Sequence, residues 1–469
     1  MSIEPVGVLT ILIGLFCMWL GHRATFATLV ITTLFGAAAA ILFGGANIQP
    51  AHLFLGFALA SMLGPRRETA AAIEALRAGQ PGFWLLCLVV YGVATAILIP
   101  RLLAGESQII PLGASEYANT GSTVPLGPVS SNFTQSVYMV ANLIGFLLTV
   151  AIASTPAGFR TVTAALVGFA GGNVLLAVLD IGTYATGMQA LLDFIRNAQY
   201  TLHLDDEVYG LKRIVGSYPE ASAFARATLG ALAFTGTLWL CGRSPGWTGV
   251  LALVSLSLAV LSTSSTGLAG TPAVILILYV TMLLRSGFHP RRPFSSAALL
   301  CAPILLAAAM LALLLNDAVA ETVRSYVDLL VLSKSSSTSG IERSSWNAVA
   351  VQNFIDSLGL GVGLGTVRTS SLPVALISNV GVPGTVLYVL FFASALLRRR
   401  GNNPRSFPAD VRVAARNACF ALMIGDTLAA PTVEQGLLFY IFAGLACSEP
   451  EREIEETEVA LPQLSGVRA

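Results

Sequence analysis

The chain has 469 residues, of which 55% are hydrophobic and only 11% charged, with a mean hydropathy of +0.76. Soluble domains carry about 25% charged residues, so this composition excludes a soluble enzyme and a disordered chain. With 26 basic and 25 acidic residues the net charge is +1, which leaves no bulk field to attract a nucleic acid. The fold class these values select is all-α, a polytopic transmembrane helix bundle.

A bilayer core of roughly 30 Å needs about 20 apolar residues per helix. On that measure the sequence predicts spans near 5–21, 24–44, 50–64, 82–103, 133–154, 158–182, 221–242, 246–264, 267–286, 295–315, 373–397, 412–429 and 433–448. The total is about thirteen, within a range of about 11–14, because the third is short and the last two read as broken or re-entrant. The first span has no basic residue before it and no small-residue cleavage site after it, and reads as a retained helix.

Arginine placement orients the bundle. Arg23, the group Arg66, Arg67 and Arg77, then Arg160, Arg243, the group Arg285, Arg291 and Arg292, and the stretch from Arg398 to Arg412 all follow odd-numbered spans. These loops are expected to be cytoplasmic, with the N-terminus outside and the acidic 449–469 tail inside. The expected organisation is 1–210 N-terminal helices with outer loops, 211–315 central helices, 316–372 a large helical periplasmic loop, 373–448 C-terminal helices, and the tail.

The same parity places three long loops outside, at 104–132, 183–220 and 316–372. The second and third hold Arg196, Lys212, Arg213, Arg324, Lys334, Arg343 and Arg368. Positive charge outside runs against the usual bias and predicts an outer face that receives an anion.

Within 212–226, Ser217 and Glu220 have capping-box spacing and Pro219 suits a first helical turn. A helix N-terminus there adds partial positive charge beside Arg213, whose guanidinium suits a phosphate clamp. Spacing leaves a second reading open, with Arg213 at the headgroup level and Glu220 as a cap. Arg226 falls inside a span, where an ionisable group is a functional candidate by default, and snorkelling is its alternative. Asp180, Asp426, Asn142 and Asn173 also lie at or within spans. Asp426 reads either as an ion relay or as a partner of an arginine at a helix break. In the third loop, alternating glycines from Gly359 to Gly365 allow a turn that approaches a ligand closely, flanked by Arg343 and Arg368. His203 and Glu342 are outer titratable groups. The six cysteines fall in apolar runs and read as small buried hydrophobes; the four histidines have no metal-site spacing.

Four elements together resemble the bacterial O-antigen polymerase and ligase superfamily. They are Arg213 followed by Gly216-Ser-Tyr-Pro-Glu-Ala-Ser222; Leu261-Ser-Thr-Ser-Ser-Thr-Gly267; Arg343-x-x-Trp346; and Gly361-Val-Gly-Leu-Gly365 followed by Asn379-Val-Gly-Val-Pro-Gly384. The resemblance spans roughly residues 210–390. It implies a metal-independent glycosyltransferase of the bacterial inner membrane with its active site facing the periplasm and no cofactor. Donor and acceptor would be undecaprenyl-diphosphate-linked glycans, and a chain-length regulator protein is an implied partner. It assigns diphosphate binding to Arg213 and Arg343, with Arg368 and Arg226 as further contacts, and leaves the base among Glu220, His203 and Glu342, with Glu220 first. Two departures favour polymerase over ligase. Ser370 and Ser371 stand where the ligase subgroup has a histidine, and Thr263 to Thr266 stand where the family often has an arginine. A ligase of the same fold and a transporter of the lipid-linked unit are the rival expectations.

Overall fold

The computed structural model describes residues 2–43, 46–62, 66–115, 123–200, 202–208, 210–286, 293–317, 320–321, 324–325, 328, 337–401 and 403–451. The chain is 72% helical with few strands, an all-α bundle. Its helices are α1 Pro5–Leu20, α2 His22–Thr32, α3 Pro50–Ser61, α4 Arg66–Ala75, α5 Pro81–Leu102, α6 Ser130–Ile152, α7 Pro156–Thr186 and α8 Ala221–Leu240. They continue with α9 Pro245–Leu261, α10 Ser265–Ser286, α11 Pro293–Leu315, α12 Thr338–Asp356, α13 Leu372–Leu397, α14 Phe407–Ala429 and α15 Leu437–Cys447. Among the described residues five helices, α5, α6, α7, α10 and α13, are long and apolar enough to cross a membrane. Their outward apolar side chains, such as Val90, Leu98, Leu276 and Val389, are exposed as a lipid-facing surface requires. The protein is a multi-pass membrane protein.

The helix α8 is the axis of the bundle. Every residue in it is buried except Ala223, Arg226 and Trp239. Its sequence is rich in Ala, Gly and Thr, and small residues let helix backbones approach where no water drives association. A Cβ on Gly230 would meet Leu422 at 2.9 Å, and one on Gly236 would meet Leu278 at 3.0 Å. Polar side chains pin the neighbours. Asn173 donates to Thr228 (2.9 Å), and Asn417 donates to Thr237 and Thr281 (both 2.9 Å).

The segment 24–44 is not a full span. Its helix stops at Thr32, and short strands follow at Ile41–Phe43 and Ala46–Ile48, the first pairing with both Ser2–Ile3 and the second. The backbone beyond the helix finds partners elsewhere: Ala37 N–H donates to Ser217 O and Ala39 N–H to Asn197 Oδ1, both at 2.9 Å. Distant acceptors satisfied what an apolar pattern alone would assign to a helix. The amphipathic α4 was not among the predicted spans, and α14 begins at 407, five residues before the predicted start. Cys301 is exposed, against the expectation that all six cysteines are buried.

The loops grouped by arginine parity do meet at one end. His22 pairs with Glu68 at 3.0 Å. Glu74, Ser154, Arg398 and Glu449 line one cavity. Asp410, fully buried, binds Arg243 (2.8 Å) and Arg285, and Arg412 pairs with Glu451 (2.8 Å). Arg291, Arg292 and residues 452–469 lie outside the described residues.

The alternating-glycine turn is buried from Gly361 to Val367 and packs against the chain itself. Gly359, Gly361, Gly363 and Gly365 all have φ between +77° and +101°, a region that only glycine enters cheaply. A Cβ on Gly361 would stand 2.6 Å from Gly381 N, one on Gly363 2.8 Å from Thr95 O, and one on Gly365 2.7 Å from Ser131 O. The close approach expected for a ligand is therefore taken by α5, α6 and α13. The turn's polar groups are satisfied by Asn132, which donates to Leu364 O (2.8 Å), and by Asn379, which accepts from Thr366 N–H (3.1 Å). Gly361→Ala should lower stability by about 1–3 kcal/mol from backbone strain alone, with the clash in addition. The thermal midpoint in detergent checks this, with Gly56→Ala, which faces open space, as the control expected not to fall.

Candidate functional site

Away from the arginine-rich loops, the bundle gathers the segments expected from the sequence to lie outside. There the chain from Ala198 to Glu220 folds over α7 and α8, and a buried carboxylate anchors it. Asp180, near the end of α7, accepts from Arg196 Nη2 (2.7 Å), Lys212 Nζ (3.0 Å), Val215 N–H (2.9 Å) and Gly216 N–H (3.1 Å). The side chains of Asp180 and Arg196 are 1% and 2% exposed. Two of the outer cations read as anion receivers are thus consumed by one aspartate. The physical reason is cost: a cation this deep stays charged only beside a carboxylate. Lys334 lies outside the described residues.

Held by Asp180, the segment from the short strand Leu211–Lys212 to the turn at Gly216 presents Arg213. Arg213 Nη1 lies 3.5 Å from Asp206 Oδ2, its backbone N–H donates to Asp206 O (2.9 Å), and its Nε is buried without a partner. His203 Nδ1 lies 3.4 Å from the same Asp206 Oδ2, and His203 N–H donates to Pro219 O (2.8 Å). His203, Asp206, Arg213 and Pro219 therefore form one connected patch.

The capping box does not form. Glu220 is itself the N-cap of α8, and Ser217 lies outside the helix with its hydroxyl donating to Leu34 O (2.7 Å). Pro219 accordingly sits before the helix. A tertiary acceptor on the segment after α2 outcompetes the local cap. Freed from that role, the Glu220 carboxylate accepts from Ser222 Oγ and faces Arg343, with Oε2 to Nη2 at 3.9 Å.

Arg343 projects from α12. Trp346 and Asn347, three and four residues on, share its face. Asn347 Oδ1 accepts from Ser370 N–H (2.8 Å), and the Arg368 guanidinium stacks over the Trp346 ring at 4.1 Å. One helix face therefore carries Arg343 against Glu220 and holds Arg368 nearby. Glu342 is exposed on α12, and its backbone carbonyl accepts from Ser345.

Further along α8 lies a partly buried polar set, with Arg226 21% exposed and Asp426 buried. Arg226 binds Asp426 through both Nε and Nη2, the latter at 2.8 Å, and donates to Gln435 O (2.7 Å). Gln435 donates to Asp426 (3.0 Å) and accepts from Tyr388 OH (2.7 Å). Glu434, in the break between α14 and α15, accepts from Asn142 Nδ2 (2.7 Å) and Gly436 N–H. Of the two readings of Asp426, pairing with an arginine is the one observed. Sequence reasoning missed Glu434 altogether. Its signal was present: a lone acid between two apolar helices, in a Pro-Thr-Val-Glu-Gln-Gly break. In the turn between α9 and α10, the Thr263 and Ser264 hydroxyls are buried without partners, and Thr263 has φ +49°.

Between α10 and α14 lies an open groove of about 390 Å³ lined by Ala269, Phe420, Met423, Ile424, Thr427 and Leu428. Its walls are apolar apart from Thr427. Of the residues chosen from sequence, Arg213 and His203 share Asp206, Glu220 and Arg343 meet at 3.9 Å, and Arg368 stacks on Trp346 one turn along α12 from Arg343. Arg226 is committed to Asp426.

Models of known protein families give no match to this chain, and no curated protein matches it.

Proposed function

We propose that the protein is a glycosyltransferase of the bacterial inner membrane that joins lipid-diphosphate-linked oligosaccharide units, as polymerases of surface polysaccharides or exopolysaccharides do. The observation that carries this reading is the pairing of Arg343, from the late-loop helix, with Glu220 at the mouth of α8. It brings a forked phosphate donor and a carboxylate to one partly exposed spot, and Arg213 is held on the same segment. The apolar groove between α10 and α14 supplies room for polyprenyl chain.

In this reading the acceptor sugar hydroxyl attacks the anomeric carbon of the donor. The bond from that carbon to the diphosphate oxygen breaks, and its electron pair leaves with the diphosphate. Arg343, Arg213 and Arg368 stabilise the developing charge, which fixed donors in a water-poor site do strongly. Glu220, once the diphosphate has drawn Arg343 away from it, accepts the hydroxyl proton. The site would face the periplasm.

Reconstitution with undecaprenyl-diphosphate-linked repeat units is expected to yield a ladder of lengths. One transfer to a different acceptor without a ladder would identify a ligase instead. A transporter of the lipid-linked unit is the second reading, favoured by the half-buried Arg226 paired with buried Asp426 and by Glu434 in the adjoining helix break, since ionisable groups within spans mark transport paths. Flipping of labelled lipid in proteoliposomes with no glycan joined would decide for it.

A further inference from the structure

At the arginine-rich end, a second cleft stands apart from everything above. A cavity of about 430 Å³ opens between the end of α10, the end of α13 and the start of α14. Seven arginines line it, and no acidic residue does. Three are committed. Arg285 binds Asp410, Arg412 binds Glu451, and Arg400 donates to the carbonyls of Ser394 (2.7 Å) and Ala395 (2.9 Å). The guanidinium groups of the other four, Arg398, Arg399, Arg405 and Arg416, have no partner among the described residues. Arg416 Nε is buried in that state. The remaining wall is apolar apart from Thr281, and Leu284 within it is 78% exposed, so the cleft runs onto the exposed apolar side of α10.

We propose that this cleft binds a phosphate-bearing anion, held by Arg398, Arg399, Arg405 and Arg416. Guanidinium groups clustered around one cleft without a carboxylate in its lining suit phosphate oxygens, which accept paired N–H donors. Several exposed cations in one place, with no acidic side chain in the lining, attract a polyanion or an anionic headgroup. Two sources carry that chemistry: the headgroup of an anionic phospholipid, whose acyl chains the Leu284 side would accommodate, and a soluble oligophosphate.

The test uses the purified full-length chain in detergent, probed separately with phosphatidylglycerol, phosphatidylethanolamine and inorganic pyrophosphate. Native mass spectrometry reads the lipids and calorimetry reads pyrophosphate. Phosphatidylglycerol is expected to be retained in preference to phosphatidylethanolamine. The variant Arg398→Gln/Arg399→Gln/Arg405→Gln should bind it about tenfold more weakly or worse, with an unchanged thermal midpoint. Binding of pyrophosphate alone, lost in the same variant, would keep the site and make its ligand soluble. Equal affinity of wild type and variant for every probe, or binding of none, overturns the proposal. Should the triple variant not fold, Arg399→Gln, at an exposed position, is read in the same way.

Discussion

Asp180→Ala is expected to unfold the end of the protein that carries Arg213 and Glu220. The substitution leaves Arg196 and Lys212 buried without a counter-charge and orphans the amides of Val215 and Gly216. Removing one partner of a buried ion pair costs about 3–5 kcal/mol, and the stability of a whole domain is only about 5–15 kcal/mol. The pair itself is weak evidence of stabilisation, since desolvation opposes the Coulomb gain. The large effect comes from the uncompensated cations. The measurement is the thermal midpoint and the yield of monodisperse protein in detergent. A midpoint equal to wild type would show that the three charged side chains do not meet as described. Glycan transfer should fall as well, because Asp180 anchors the segment that carries Arg213 and Glu220.

Arg343→Ala is expected to behave in the opposite way. Its pair with Glu220 is 3.9 Å long between side chains 26% and 36% exposed, and exposed pairs contribute about 0–1 kcal/mol. Folding should therefore be nearly unchanged. Transfer should fall about 10²–10³-fold, the usual loss when one donor to a developing charge is removed. Arg343→Lys should restore little, because lysine keeps the charge and lacks the fork. Full activity of Arg343→Ala in the reconstituted assay removes this residue from the site. Loss of both activity and midpoint would reassign it to a structural role. The contrast between Asp180 and Arg343 separates two kinds of outer charge that look alike in sequence.

Much of the architecture was legible from local pattern. Apolar runs located most of the helices, and the arginine parity grouped loops that do share one end of the bundle. Arg343-x-x-Trp346 was legible as a helix face because residues three apart are neighbours on a helix. The 24–44 run failed because its backbone partners, Ser217 and Asn197, lie far along the chain. The S-x-x-E signal at Ser217 and Glu220 failed for the same reason, since Leu34 O takes the Ser217 hydroxyl.

The sequence by itself determined the solvent. With 11% charged residues and long apolar segments, the chain must bury its backbone polar groups in helices within a bilayer, and that follows from composition whatever the packing. It also narrowed the outer charges to a short group of residues. Only the tertiary structure decided how each is paired. Arg196, Lys212 and Arg226 are bound closely to Asp180 and Asp426, whereas Arg213 and Arg343 make looser contacts of 3.5 and 3.9 Å with Asp206 and Glu220, and Arg368 stacks on Trp346. Ion pairing is set by distance and desolvation in space, and neither is encoded in the spacing along a chain.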